Sequence, residues 1–170
     1  MKTINSIIAM LALAAPSLRA APMPAKAELL ASNTVVAVYS GVQERPCMFR
    51  TALCPHRCGH ATKVALFTVK SNEKYEKQGE YGDDKAEAGS VIAVDLLRDT
   101  PGQSEETLKL IAALPQGAVV RMTQAHYYGD FGDVAEPFRP VISIEKIGMD
   151  NKAAALPPAP AANRMLRRAR

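Results

Sequence analysis

The stretch VVAVYSGVQERPCMFRTALCPHRCGHATKVALFTV, residues 35–69, joins two apolar, β-branched segments through a loop containing cysteine, proline and arginine. The two segments, residues 35–42 and 64–69, predict two strands, the second continuing through polar residues to about Tyr75. Gly41 predicts a bulge or bend near the end of the first strand. The folded part of the chain is therefore expected to begin with β-structure.

A third strand follows a glycine-containing connection. The segment YEKQGEYGDDK, residues 75–85, carries Gly79, Gly82 and paired aspartates, which predict a hairpin turn. Asp83 and Asp84 with Glu80 could bind calcium, but they lack the alternating carboxylates of a calcium loop and fit a hairpin surface better. The third strand is predicted at residues 90–97.

The sequence predicts a single helix after the turn at residues 99–103. Ser104 is the predicted N-cap, and Glu105 and Glu106 suit the positive end of the helix dipole. An apolar face and two helix-stopping residues complete the pattern: Leu108, Ile111 and Ala112, then Pro115 and Gly117.

Two further strands complete the folded part, at residues 119–128 and 140–147, with Ile142 and Ile144 on one face. The order strand, strand, strand, helix, strand, strand resembles that of the OB-fold, in which five strands close a small barrel. We therefore expect a mainly β fold, a five-stranded OB-fold-like barrel with one helix between strands 3 and 4.

Two segments carry a second resemblance. CPHRCGHA at residues 54–61 and YEKQGEYGD at residues 75–83 are similar to segments of a family of exported bacterial proteins of OB type. No activity is known for that family, so the resemblance implies the fold and an exported location only.

The two ends of the chain differ from its middle. Residues 1–20 have the pattern of a secretory signal, with an apolar run too short to span a bilayer, although cleavage could fall as late as residue 27. Residues 28–148 are expected to form the domain. Residues 149–170 are rich in alanine, proline and arginine, so a disordered basic tail is expected, able at most to touch anionic surfaces weakly. The mature protein is expected in the periplasm or outside the cell.

Charge argues against a nucleic-acid partner. The whole chain has a formal charge of +4, but residues 21–150 contain 14 Lys or Arg and 17 Asp or Glu side chains, a charge of −3. Binding to a phosphate backbone depends on clustered positive charge, which this part lacks. An unknown small ligand, a glycan or a peptide remains open as the partner.

The loop at residues 47–60 contains all three cysteines and two of the three histidines. If Pro55 opens a helical turn that Gly59 ends, Cys54 and Cys58 lie on one side of it. Three thiolates and one imidazole form the set that a structural zinc prefers, and copper(I) is the alternative. The predicted metal ligands are Cys47, Cys54, Cys58 and His60.

Two other interpretations of this loop remain. In an oxidising compartment two cysteines could form a disulfide, Cys47 with Cys54 or Cys58, leaving one thiol over. A reactive thiol beside histidine is the other possibility, but no further catalytic group completes such a site.

An aromatic group is predicted around the connection after the fourth strand. Tyr127, Tyr128, Phe131 and Phe138 could stack against a ligand, with Asp130, Asp133 and Glu136 nearby. Tyr127 and Phe138 could instead close the end of the barrel. His126 could reach the cysteine loop and replace His60 there, although its alternation with Met122 and Gln124 favours a barrel-wall position.

The sequence favours a non-enzymatic exported binding or structural domain. It contains no glycine-rich phosphate loop, nucleophile elbow or HExxH signature. The Cys/His loop would be held by a metal or a disulfide. The alternatives are a periplasmic protein that handles copper or zinc and a module that binds oligosaccharides or oligonucleotides.

Overall fold

A computed structural model describes residues 22–46, 61–97, 100–132 and 134–150. The fold is mainly β with one short helix. Its elements are β1 (Lys26–Arg45), β2 (Thr62–Lys77), β3 (Val91–Asp95), α1 (Glu105–Ala112), β4 (Ala118–Asp130), β5 (Ala135–Phe138) and β6 (Val141–Met149). Five of these strands correspond to the predicted ones, although β1 begins at Lys26 and not at residue 35, because its first part pairs with β4. β5 is an additional short strand that was not predicted.

All strands belong to one curled antiparallel sheet with the order β3-β2-β1-β4-β5, and β6 also pairs with β4. The long β1 strand pairs with β2 on one edge and with β4 on the other. Because β1 pairs along both of its edges, it joins the two sides of the half-barrel.

The predicted closed barrel is not what the described residues form, because no pairing joins β3 to β6 among them. β3 is only five residues long, so it offers little edge. On the other side, the Gln103 side chain accepts a hydrogen bond from the Val141 N–H at 2.8 Å and donates to the Val141 carbonyl at 3.4 Å. A side chain therefore occupies the start of the β6 edge where a strand would otherwise pair.

The core lies on the concave face of the half-barrel. Alternation along the strands places apolar side chains on this face. Phe67 is fully buried there, and its ring centroid lies 5.4 Å from that of Tyr39. The other buried members are Val35, Ala37, Ala65, Val69, Val94, Ile111, Ala118, Val120, Met122 and Val141.

Several register shifts interrupt the strand ladders, and two of them bear on residues singled out in the sequence. The register of β1 and β2 shifts between Tyr39 and Gly41, and Gly41 has a φ of 117°, so the predicted bulge is confirmed. A second shift in the β4 and β6 pairing leaves Ile142 without a partner in the ladder. As a result Ile142 is exposed while Ile144 packs against the core, and the two do not share a buried face.

The helix start agrees with the sequence. The Ser104 hydroxyl accepts a hydrogen bond from the Thr107 N–H at 3.0 Å, which caps the first turn. The buried residues of the helix are Thr107 and Ile111, while Ala112 is exposed. The predicted apolar face of Leu108, Ile111 and Ala112 is therefore wrong in part. The buried side of the helix includes Thr107, whose side chain points into the domain at the capped first turn.

Within the described ranges, no helix has the length and apolar character needed to cross a membrane. The predicted signal at residues 1–20, the loop at residues 47–60 and the tail from residue 151 lie outside these ranges.

Candidate functional site

Three of the four predicted aromatic residues pack together on one face of the sheet. Tyr127 and Phe138 are cross-strand partners with stacked rings, 5.4 Å between centroids. Phe131 meets Phe138 edge to face at 5.8 Å. Phe138 is buried within this cluster.

Tyr128 lies on the opposite face, because successive residues of a strand alternate. The prediction of one four-membered aromatic platform is therefore wrong. Tyr128 is directly opposite Glu28 of β1 and Pro137 of β5. Cross-strand partners have Cβ atoms about 4.5–5.5 Å apart, so these three side chains form a continuous row.

This row forms one side of a cavity of about 530 Å³. The cavity lies on the face away from the aromatic cluster, and Tyr128 is 45% exposed there while Tyr81 is 77% exposed. Its lining residues are Glu28, Leu30, Gln78, Tyr81, Gly82, His126, Tyr128 and Pro137.

The opposite side of the cavity is the connection between β2 and β3, predicted only as a hairpin turn. It folds back over β1, where the Gln78 N–H donates to the Leu30 carbonyl at 2.8 Å. The buried Asn33 side chain accepts from the Ala86 N–H at 3.1 Å. The Tyr75 hydroxyl donates to the Asp83 carbonyl at 3.1 Å. These bonds hold the connection as a wall.

His126 of β4 anchors the same wall from the other side. Its Nδ1 accepts a hydrogen bond from the Asp83 N–H at 3.0 Å and lies 3.2 Å from Asp83 Oδ1. Asp83 in turn receives two hydrogen bonds from Arg139, at 2.6 Å from Nε and 2.8 Å from Nη2. The result is a chain of contacts, Arg139 to Asp83 to His126, that ties β4 and the segment after β5 to the cavity wall.

The geometry assigns the tautomer of His126. Since Nδ1 accepts a backbone N–H, the proton of the neutral ring is on Nε2. Nε2 is buried and has no hydrogen-bond partner within the described part of the chain. The side chain is 10% exposed, and leaving such a donor unpaired costs about 1–3 kcal/mol.

Comparison with protein-family models, curated proteins and solved structures gives no match. Sequence reasoning missed Tyr81, Gly82 and the Asp83–Arg139 contact, because the two charged residues are 56 positions apart and no local pattern links them. The glycine, the one local signal, was interpreted only as a turn residue.

Charged groups around His126 shift its pKa. Burial lowers the pKa of His126 below its ordinary value, the positive charge of Arg139 lowers it further, and Asp83 partly opposes both. The Arg139 hydrogen bond lowers the pKa of Asp83 despite its partial burial. At neutral pH the site therefore holds a neutral imidazole beside an ion pair.

We expect this imidazole to make the domain less stable below neutral pH. The unfolded chain takes up the His126 proton near its ordinary pKa of about 6.5, before the folded protein does. Its contribution to the free energy of unfolding is thus complete above that pH and falls as the pH drops toward the lower folded-state pKa. Denaturant unfolding at pH 7.5 and pH 5.5 measures the loss.

The matched variant is His126→Asn, whose side-chain oxygen can accept the Asp83 N–H without titrating. Its stability should change less between the two pH values than that of the wild-type protein. Equal changes in both proteins would show that His126 does not titrate differently on folding.

The predicted metal ligands Cys47, Cys54, Cys58 and His60 lie outside the described residues, as does Asp133. The ends of their loop are fixed, because Arg45 of β1 pairs with Thr62 of β2. His126 pairs with Ala31, toward the opposite end of β1, and its Nδ1 is engaged by Asp83. The idea that His126 replaces His60 beside the cysteines is therefore not supported, and the aromatic residues do not flank the base of that loop.

Three aspartates of this region make contacts within the protein. Asp83 pairs with Arg139, and Asp84 lies 3.1 Å from Lys77 Nζ. Asp130 accepts a hydrogen bond from the Gly132 N–H in a tight turn. Across the described ranges there is no group of three or more His, Cys, Asp or Glu side chains suited to a metal ion.

Proposed function

We propose that this protein is an exported, non-enzymatic binding domain of OB type that holds a small glycan or a peptide segment in the Tyr81–Tyr128 cavity. The observation that carries the proposal is the buried His126, whose imidazole lines a cavity of about 530 Å³ and keeps one unpaired donor. Cavities of roughly 300–1,000 Å³ with aromatic walls and few polar groups are typical of ligand sites.

The OB assignment is supported by the antiparallel order β3-β2-β1-β4 and by a helix that follows β3 in the chain. In an OB-fold the long first strand is shared by both halves of the barrel, as β1 is here. The described half-barrel would then be the open form of that architecture.

The Cys/His loop would serve as a structural brace, held by zinc, by copper or by a disulfide. Pairing of Arg45 with Thr62 brings the two ends of the loop together at the end of the sheet. A metal or a disulfide would offset the conformational entropy of ordering the loop. Intact mass with and without reductant distinguishes the two.

Export with cleavage after Ala20, not Ala27, is supported by packing of the segment between them. A Cβ placed on Gly102 would lie 2.7 Å from Met23 Sδ, and one on Gly129 would lie 2.9 Å from Pro24 Cγ. Lys26 and Ala27 also pair with β4. The later cleavage would remove all of these contacts.

Ligand screening tests the proposal. Titration of the purified full-length protein with N-acetylglucosamine oligomers and short peptides, followed by NMR, should move the resonances of His126 and Tyr128 together. Tyr128→Ala should weaken binding about 3- to 10-fold, because one aromatic stacking contact contributes about 0.5–1.5 kcal/mol.

The control is Val134→Ala, which changes an exposed side chain beside β5 that does not line the cavity. Its affinity should match that of the wild-type protein. Shifts confined to the other face of the sheet, around Phe131, would place the binding surface elsewhere and refute the assignment.

A further inference from the structure

The charge of the cavity points to the kind of ligand. Glu28 is the only acidic side chain among the lining residues, and no lysine or arginine in the described part of the chain lines the cavity. No ion pair joins Glu28 to any cation among the described residues, and two cations on neighbouring segments have carboxylate partners of their own. Lys77 pairs with Asp84, and Arg139 pairs with Asp83. Lys26, two residues before Glu28 on the same face of β1, is the cross-strand neighbour of Asp130.

The aromatic walls add a second preference for positive charge. The faces of tyrosine rings attract a cation within about 6 Å of their centroids. Tyr81 and Tyr128 are both exposed on the lining, and Glu28 is the direct cross-strand partner of Tyr128. A carboxylate and an aromatic ring therefore stand side by side on the cavity surface.

The remaining lining is apolar or uncharged. Leu30 and Pro137 provide apolar surface that can cover methyl or methylene groups. Gly82 approaches the Leu30 carbonyl closely, since a Cβ there would lie at 2.9 Å, so backbone and not a side chain forms this part of the wall. The neutral imidazole of His126 adds no repulsion toward a cation.

We propose that the cavity selects an organic cation, an alkylated ammonium or guanidinium group on a small molecule or peptide, with Glu28 as its counter-charge and Tyr81 and Tyr128 as its walls. This inference rests on the proposed function of the cavity and narrows it. A neutral glycan would stack on the same tyrosines but would make no charge–charge interaction with the Glu28 carboxylate.

The test compares two ligands of the same shape. Choline and its uncharged analogue 3,3-dimethylbutan-1-ol are titrated into the full-length protein at low salt, and the shifts of Tyr128 and His126 are followed by NMR. Choline should bind about 3- to 10-fold more tightly, because the tyrosine faces and the Glu28 carboxylate both attract its positive charge. Salt should weaken choline binding only.

Glu28→Gln should reduce the preference for choline to the part due to the tyrosines and remove its salt dependence. The melting temperature should stay unchanged, because Glu28 is exposed and makes no ion pair with the described residues. The matched control is Glu44→Gln at the far end of the same strand, where the carboxylate lies 3.6 Å from Lys63 Nζ. This control should keep the full preference for choline.

The outcomes separate the two proposals. Equal binding of choline and its analogue, or an undiminished and still salt-dependent preference in Glu28→Gln, overturns the cation assignment and leaves the cavity as a site for neutral ligands. Failure of the cations, the neutral analogue, glycans and peptides alike to shift the cavity resonances overturns the proposed function as well.

Discussion

Phe67→Ala is expected to destabilise the domain by about 3–5 kcal/mol, the usual cost of truncating a fully buried phenylalanine. Phe67 is 0% exposed, and it packs between β1 and β3 at the centre of the half-barrel. Its ring also contacts Tyr39. Alanine would leave a cavity that the paired strands on both sides cannot collapse to fill.

Equilibrium denaturation of the wild-type protein and the variant measures this loss. Small domains have a total stability of roughly 5–15 kcal/mol, so the variant should be close to unfolding at 37 °C. Leu110→Ala is the control, because Leu110 is 50% exposed on α1 and should change stability by less than about 1 kcal/mol. A Phe67→Ala loss no greater than that of Leu110→Ala would show that the concave face is not the core.

Gly82→Ala is expected to damage both the fold and the cavity. Gly82 has a φ of 138°, a region that side chains with a Cβ rarely enter. The added Cβ would also lie 2.9 Å from the Leu30 carbonyl oxygen and 3.2 Å from the Ala31 Cβ. Because these are atoms of β1 and not a flexible side chain, the cavity wall must move away.

Gly79→Ala isolates the two effects. Gly79 has a φ of 95° in the same connection, but no atom lies within 4 Å of an added Cβ. It should therefore carry only the backbone cost, about 1–2 kcal/mol. Gly82→Ala should cost about 2 kcal/mol more, as overpacking does, and should also abolish the ligand-induced shifts at Tyr128. Similar stability and binding in the two variants would mean that the connection does not press on β1.

Much of the fold could be predicted from local pattern. The five main strands, the Gly41 bulge and the Ser104 cap depend on residues close in sequence, and they appear in the structure. The errors arose where position depended on distant partners. Barrel closure was expected from element order, yet Gln103 occupies the Val141 edge of β6.

The candidate site was the least predictable part. Aromatic residues close in sequence were expected to act together, but strand alternation separates Tyr128 from Tyr127. The connection around Gly82 had the signature of an ordinary turn, and nothing local indicates that Asp83 reaches both His126 and Arg139. Such contacts join side chains that only the sheet brings together.

The sequence by itself determined the mainly β class, the approximate place of five strands and the gathering of cysteines between residues 47 and 60, because periodicity, glycine placement and composition are local properties. Only the tertiary structure decided that the sheet is a half-barrel and that Glu28, Tyr81, His126 and Tyr128 line one cavity. These four residues come from two strands and a connection, and their proximity is set by strand register and by hydrogen bonds between segments far apart in the chain.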